Sequence, residues 1–122
     1  MKIFYITLFI GFSFTQPNLG SSSTLDIMTW NLEHFPKENN VTLEYVVNFL
    51  VASNIDVVAL QEIESRSYFE LLIDSLNIED DTGIWVGFRA GGNSAMMELA
   101  YIIRTDEFSN ISEPFEIFHD EG

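Results

Sequence analysis

The sequence predicts an α/β domain, and three observations support this. A strand-like run, an amphipathic helix and a second apolar strand follow one another between residues 25 and 60. A second amphipathic helix comes next, and two more strand-like runs after it are spaced as a hairpin. Because a strand, helix, strand unit crosses over right-handed and sets its strands parallel, these elements give a layered α/β or α+β sheet.

The first unit is visible from its change of periodicity. "LDIMTWN", from Leu25, is rich in β-forming residues, and "IDVVAL" is a short apolar run typical of a strand covered on both faces. Between them, "VTLEYVVNFLVASN" has Thr42 as the predicted N-cap and Asn54 beyond the end. Its apolar positions have helical spacing: Leu43, Val46, Val47, Leu50 and Val51.

The rest of the chain predicts one more helix and a hairpin. Ser67 and Glu70 have the spacing of a capping box. The apolar stripe of this helix is Phe69, Leu72, Ile73 and Leu76, and "NIEDDTG" ends it. "IWVGFR" and "ELAYIIR" predict antiparallel strands around the long loop "AGGNSAMM", and "PFEIF" predicts the start of a fifth strand.

Composition limits the function classes. The chain has 122 residues, no cysteine and a formal net charge of -14, from 19 acidic and 5 basic residues. This charge excludes simple electrostatic attraction to nucleic acid, whose phosphates would be repelled without a bridging cation. Any phosphate-bearing partner therefore requires a metal, but for the charge taken alone a solubilising acidic surface is the favoured interpretation.

The N-terminal segment, residues 1–24, is interpreted as a signal peptide and linker. Lys2 supplies the positive charge and Ile3 to Phe14 an apolar stretch too short to span a bilayer. "TQPNLGSSST" is typical of a linker before a domain that begins at Leu25. We expect a secreted or periplasmic protein with no stable membrane partner after cleavage, the alternative being an uncleaved anchor.

Polar residues follow both apolar runs of the first unit. Asn31 ends the first run, and Gln61 and Glu62 end the second. Ligands of α/β sheets bind at the carboxyl ends of parallel strands, so Asn31 and Glu62 are expected at one edge. An amide oxygen and a carboxylate suit Mg²⁺ and leave positions for water and phosphate oxygens. The alternative is that Asn31 caps a turn and Glu62 is a solvated loop residue.

"LDIMTWNLEHF" followed by "IDVVALQEIES", with the helix between them and the later "ELAYIIR", resembles the endonuclease/exonuclease/phosphatase superfamily. The resemblance implies a four-layered α/β/β/α sandwich and a metal-dependent phosphodiesterase or nuclease. It also implies that Asn31 and Glu62 are the first two ligands of Mg²⁺, or of Mn²⁺ or Ca²⁺. The implied partner is a phosphodiester substrate, including nucleic acid held through the metal.

The chain lacks the catalytic Gly-Asp-Phe-Asn and Ser-Asp-His stretches and the central histidine of that superfamily. Residues 25–122 are therefore interpreted as the N-terminal part of a truncated domain, with no catalytic residue of its own, and inactive alone. The two histidines, His34 and His119, are interpreted as surface or loop residues. We expect one apolar face of the sheet to lack the second sheet that would cover it; this face includes Ile27, Val57, Ala59 and Ile103. The alternative function is a catalytically silent binding module of the same fold.

Other polar residues have two interpretations each. Arg66 could reach a substrate phosphate, but pairing with Glu62 or Glu70 is favoured. Glu33 and Glu64 are expected beside the site, in support of the ligands. "NVT" from residue 40 and "NIS" from residue 110 match the glycosylation pattern, which arises often by chance.

Overall fold

The computed structural model describes residues 19–90, 98–108 and 111–112. The elements are β1 (Ile27–Phe35), α1 (Asn40–Ser53), β2 (Val57–Ile63), α2 (Arg66–Glu79), β3 (Trp85–Arg89) and β4 (Glu98–Arg104), followed by a 3₁₀ turn at Thr105–Glu107. The predicted α/β class is confirmed. The predicted signal peptide, most of the hairpin loop, His119 and the predicted fifth strand lie outside the described residues.

The four strands form one mixed sheet in the order β1, β2, β4, β3. β1 and β2 are parallel, and β4 runs antiparallel to both of its neighbours, as the predicted crossover and hairpin require. The position of β4 between β2 and β3 has no signal in the sequence. Because β4 is antiparallel to β2, its first residue, Glu98, lies at the edge where β1 and β2 end.

One face of the sheet carries the core. Val58, Leu60, Ala100 and Ile102 are almost fully buried and join the apolar stripes of both helices in a single cluster. This burial is the main favourable contribution to folding, at about 25 cal/mol per Å² of apolar surface removed from water. The two helices therefore form one layer on one face of the sheet.

The opposite face of the sheet is open in the described part of the chain. Register places Ile27, Val57, Ile103 and Val86 in one cross-strand row and Thr29, Ala59, Tyr101 and Phe88 in the next. The side chain of Ile27 is 68% exposed and that of Leu99 63%. The prediction that Ile27, Val57, Ala59 and Ile103 share a face away from the helices is confirmed.

Helix α1 begins earlier than the sequence predicts. It starts at Asn40, so Thr42 lies in its first turn and is not the N-cap; the Thr42 hydroxyl instead accepts a hydrogen bond of 2.9 Å from the Glu38 N–H. Asn54 ends the helix in the left-handed conformation, φ 54°, which asparagine tolerates well. The Asn40 side chain accepts a hydrogen bond from the Tyr68 hydroxyl, which ties α1 to α2.

Helix α2 is also capped earlier than predicted, by two positions. Ser65, not Ser67, is the N-cap and accepts a hydrogen bond from the Tyr68 N–H. The predicted stripe is otherwise correct, since Phe69, Leu72 and Leu76 are buried. The helix packs so closely on β3 that a Cβ at Gly87 would meet side-chain atoms of Ile73 at 2.6 Å and Phe69 at 2.8 Å.

The end of the predicted linker is bonded to the domain. The N–H groups of Leu19 and Gly20 both donate to the Ser53 carbonyl at the end of α1. A Cβ at Gly20 would lie 1.8 Å from the Asn54 carbonyl oxygen, so only glycine fits this approach. Within the described residues, the two helices are too short or too polar to cross a membrane.

A buried arginine organises the opposite end of the sheet from the predicted site. Arg104, at the end of β4, is 7% exposed, and its backbone N–H donates to the Asp56 carbonyl just before β2. Its guanidinium donates to Asn54 at 3.0 Å, to Thr82 at 3.3 Å and to Asp106 at 3.2 Å.

Asp80 completes this arrangement, which we call the arginine cluster: Asn54, Asp80, Thr82, Trp85, Arg104 and Asp106. Asp80 accepts hydrogen bonds from the Thr82 N–H and hydroxyl and, at 2.8 Å, from the Trp85 indole N–H. Burial by itself would raise the pKa of Asp80, but the hydrogen bonds from Thr82 and Trp85 and the charge of Arg104 outweigh it and lower the pKa. The cluster joins α1, α2 and the hairpin around the buried Arg104 and Asp80. Arg104 Nε makes no hydrogen bond to the described part of the chain and lies 3.9 Å from Asp80 Oδ2, as an ion pair.

Candidate metal centre

Two irregularities in strand pairing shape the edge where β1 and β2 end. Between the pairs Asn31 with Gln61 and Phe35 with Ile63, β1 has three residues, 32–34, where β2 has only Glu62. Between the pairs Leu60 with Ala100 and Ile63 with Glu98, β2 has two residues where β4 has only Leu99. Both strands therefore bulge at the positions that the sequence predicts as a site.

The bulge in β2 decides which way Glu62 faces. Leu60 and Ile63 are three positions apart and would lie on opposite faces of a regular strand, yet they are 1% and 0% exposed and belong to the same core. The extra residue restores Ile63 to the core. Glu62 takes up the irregularity with φ 61° and remains at the partly exposed edge instead of entering the core.

Asn31 and Glu62 are in direct contact. The Asn31 amide Nδ2 donates to Glu62 Oε1 at 2.8 Å, and Asn31 Oδ1 accepts the Glu33 N–H at 2.8 Å. The structure thus brings together the two predicted ligand residues. The sequence suggested that each residue ends its strand. In the structure neither does, because β1 continues to Phe35 and β2 to Ile63.

Three residues at this edge have backbone conformations that are unfavourable for their type. Glu33, His34 and Glu62 have φ of 52°, 66° and 61°. Such conformations cost on the order of 1–3 kcal/mol each for a non-glycine residue and concentrate at functional sites. Packing of Phe35 and Ile63, both 0% exposed, on either side of the bulges holds this strained backbone in place.

A histidine and glutamate pair lies beside the two predicted ligands. His34 Nδ1 is hydrogen-bonded to Glu64 Oε1, and the two side chains are 49% and 39% exposed. The hydrogen bond to Glu64 raises the pKa of His34, and the charges of Glu64 and, less strongly, Glu62 add to this. His34 is exposed, as predicted. It lies in the bulged part of β1, at the same edge of the sheet as Asn31 and Glu62.

Sequence reasoning missed the pairing of His34 with Glu64, although it placed Glu64 beside the site. The available signal was the matching offset of "NLEH" and "QEIE" at the ends of parallel strands. We call Asn31, His34, Glu62 and Glu64 the polar edge.

The remaining charged neighbours are paired with each other. Lys37 Nζ lies 2.7 Å from Glu33 Oε2, and its hydrogen bond lowers the pKa of Glu33. Arg66 Nε lies 3.2 Å from Glu70 Oε1, which supports the predicted pairing over a role in binding phosphate.

The donor set suits a hard divalent cation. Asn31 and Glu62 offer oxygen ligands next to each other, which Mg²⁺ and Ca²⁺ prefer. Because Asn31 presents its Nδ2 to Glu62, the amide must turn before both oxygens can bind one ion. Within the described part of the chain no group of three or more His, Cys, Asp or Glu side chains is placed to hold a metal. An ion at the polar edge therefore needs water, substrate or other protein ligands as well.

Comparison with known families agrees with this arrangement. A model of the endonuclease/exonuclease/phosphatase family matches residues 28–121, which is most of the chain. The chain belongs to the endonuclease/exonuclease/phosphatase family. No curated protein matches it. The match covers all the described strands except the first residue of β1, as well as both helices and the polar edge.

Proposed function

We propose that this member of the endonuclease/exonuclease/phosphatase family is a metal-dependent phosphodiesterase or nuclease, and that Asn31 and Glu62 are ligands of its Mg²⁺. The observation that supports this most directly is the 2.8 Å contact between the two side chains at a doubly bulged edge. A strained and exposed arrangement of this kind contributes little to stability, so a ligand-binding role explains it best.

The two side chains have distinct roles in this proposal. Glu62 brings the single negative charge, and Asn31 a neutral oxygen whose orientation is held by the Glu33 N–H. A bound Mg²⁺ would polarise a phosphoryl oxygen and stabilise the leaving alkoxide. The low ligand charge leaves the ion electropositive. This also meets the requirement set by the net charge of -14, because a phosphodiester needs a cation to approach so acidic a chain.

Hydrolysis also requires a base that deprotonates and aligns the attacking water. We propose that this group belongs to a second half of the domain, whose sheet would cover the open face that carries Ile27 and Leu99. We propose further that residues 1–24 direct export to the periplasm or the medium. N-terminal sequencing of secreted protein should then find a mature start after the apolar segment.

The test is hydrolysis of bis(p-nitrophenyl) phosphate by the natural full-length protein. We expect turnover with Mg²⁺ or Mn²⁺, loss of turnover with EDTA, and recovery when metal is added back. The matched control is the Glu33→Gln protein, which loses an exposed carboxylate at the same edge but keeps both proposed ligands. Metal-independent hydrolysis, or unchanged activity after EDTA, would contradict the proposal.

A silent binding module is the second candidate, and one observation favours it. In the described residues no group of three or more acidic or histidine side chains is placed to hold one ion, so the two predicted ligands make a weak site. This candidate predicts metal binding without turnover. Calorimetric titration with Mn²⁺ alongside the hydrolysis assay separates the two functions.

A further inference from the structure

His34 has one ring nitrogen committed and one open. The carboxylate of Glu64 only accepts hydrogen bonds, so the Nδ1 atom of His34 carries the proton between them. The Glu64 N–H in turn donates to the Phe35 carbonyl at 3.1 Å, which holds the backbone of Glu64 against the end of β1. Within the described residues no hydrogen bond reaches Nε2, and the side chain is half exposed.

The other described basic side chains already have carboxylate partners. The pairs are Lys37 with Glu33, Arg66 with Glu70, Arg89 with Glu98, and Arg104 with Asp106. His34 differs from these because it is the basic side chain of the polar edge, close enough to Glu62 for that charge to act on its ring. Glu64 favours the protonated ring, which is the form that can donate through Nε2 to an anion.

We propose that His34 binds a non-bridging phosphate oxygen of the substrate through Nε2 and that Glu64 is its positioning residue. This rests on the proposed function, since it names a substrate contact beside Asn31 and Glu62. The bulge of β1 explains the position of the ring. Its two extra residues and the strained φ of 66° at His34 place the ring at the same edge as the proposed ligands.

The decisive variant is His34→Asn in the natural full-length protein. Asparagine tolerates the left-handed backbone better than most residues, so the bulge should survive while the ring is lost. Asp74→Asn, at an exposed position of α2 outside the polar edge, is the control and also removes one charge. The probe is dimethyl phosphate, a phosphodiester group without a base, sugar or lipid.

We expect dimethyl phosphate to bind about tenfold more weakly to the His34→Asn protein, because one charge-assisted hydrogen bond is lost. It should bind normally to the Asp74→Asn protein. Glu64→Gln should raise KM for bis(p-nitrophenyl) phosphate more than it lowers kcat. In protein labelled with ¹⁵N-histidine, the Nε2 resonance of His34 should shift saturably with dimethyl phosphate.

The two proposals fail in different ways. Unchanged binding of dimethyl phosphate to His34→Asn, or an Nε2 resonance that the probe does not move, overturns the role of His34 even if Mn²⁺ binding depends on Glu62. Normal Mn²⁺ affinity in the Glu62→Gln protein overturns the metal site instead, even if His34→Asn loses the phosphate.

Discussion

The polar edge and the arginine cluster occupy opposite ends of the same sheet and use charge in opposite ways. In the arginine cluster, Arg104 and Asp80 are 7% exposed each and are surrounded by hydrogen-bond partners and the Trp85 ring. At the polar edge, His34 and Glu64 are about half and over a third exposed, and the backbone is strained.

This difference indicates that the two ends of the sheet have separate roles, one in stability and the other in ligand binding. A buried charge is tolerated only when its partners are fixed, so the arginine cluster rigidifies the end where the chain makes its connections. An exposed charge costs little to leave partly unpaired, so the polar edge can exchange its internal hydrogen bonds for a ligand. Substitutions at the first end should change the free energy of unfolding, and substitutions at the second should change activity.

The largest expected effect is on activity at the polar edge. Glu62→Gln removes the only charge among the two proposed ligands, and we expect kcat/KM of the full-length protein to fall by about 100-fold or more. Asn31→Ala should also lower it. The melting temperature should hardly move, since Glu62 is at a partly exposed edge. A Glu62→Gln protein with ordinary Mg²⁺ dependence would remove the basis for the assignment.

The next effect is on stability in the arginine cluster. Asp80→Asn replaces one of the two acceptor oxygens with a donor opposite the Trp85 indole N–H or the Thr82 donors. We expect the free energy of unfolding in urea to fall by about 2–4 kcal/mol. Activity per folded molecule should stay normal. Asp74→Asn, on the exposed side of α2, is the control and should change stability by under about 0.5 kcal/mol.

The contribution of Asp80 to the free energy of unfolding depends on pH and is lost in acid. The pKa of Asp80 is lowered from its ordinary value of 3.8, so its charged form stabilises the fold above that pH. The stability gap between wild type and Asp80→Asn should be constant from neutral pH to about pH 5 and shrink as pH falls through the lowered pKa. Urea titrations at stepped pH measure it. A gap that widens in acid would show that the sign is wrong.

The smallest expected effect concerns the open face of the sheet. We expect a chain of residues 19–122 to aggregate through this face and to show no hydrolysis. The double substitution Ile27→Thr with Leu99→Thr should then raise its monomeric fraction in gel filtration. Threonine keeps strand propensity, and both side chains are mostly exposed, so unfolding free energy should change by under about 0.5 kcal/mol. Ile78→Thr, at a 74% exposed isoleucine on α2 and so off the sheet, is the control and should leave aggregation unchanged.

The helices and strands could be predicted from the sequence alone, because the periodicity of apolar residues shows which side of each element is buried. The helical spacing of Leu43 to Leu50 and the apolar run at Val57 predicted α1 and β2, and the crossover rule made β1 and β2 parallel. That rule also placed Asn31 and Glu62 at one edge. Helix starts were less accurate, since Ser65 and Ser67 are equally good caps by residue type and only backbone geometry separates them.

Tertiary structure decided the rest, because pairing between distant strands is not written in local periodicity. Only the register shows that β1 and β2 bulge, and without the bulge Glu62 would point into the core where Ile63 lies. The same bulges bring His34 to Glu64 across 30 residues of sequence. Arg104 gave no sequence signal of burial, since a charged residue at a strand end is normally solvated. Its partners come from three separate segments, and only the folded chain brings them together.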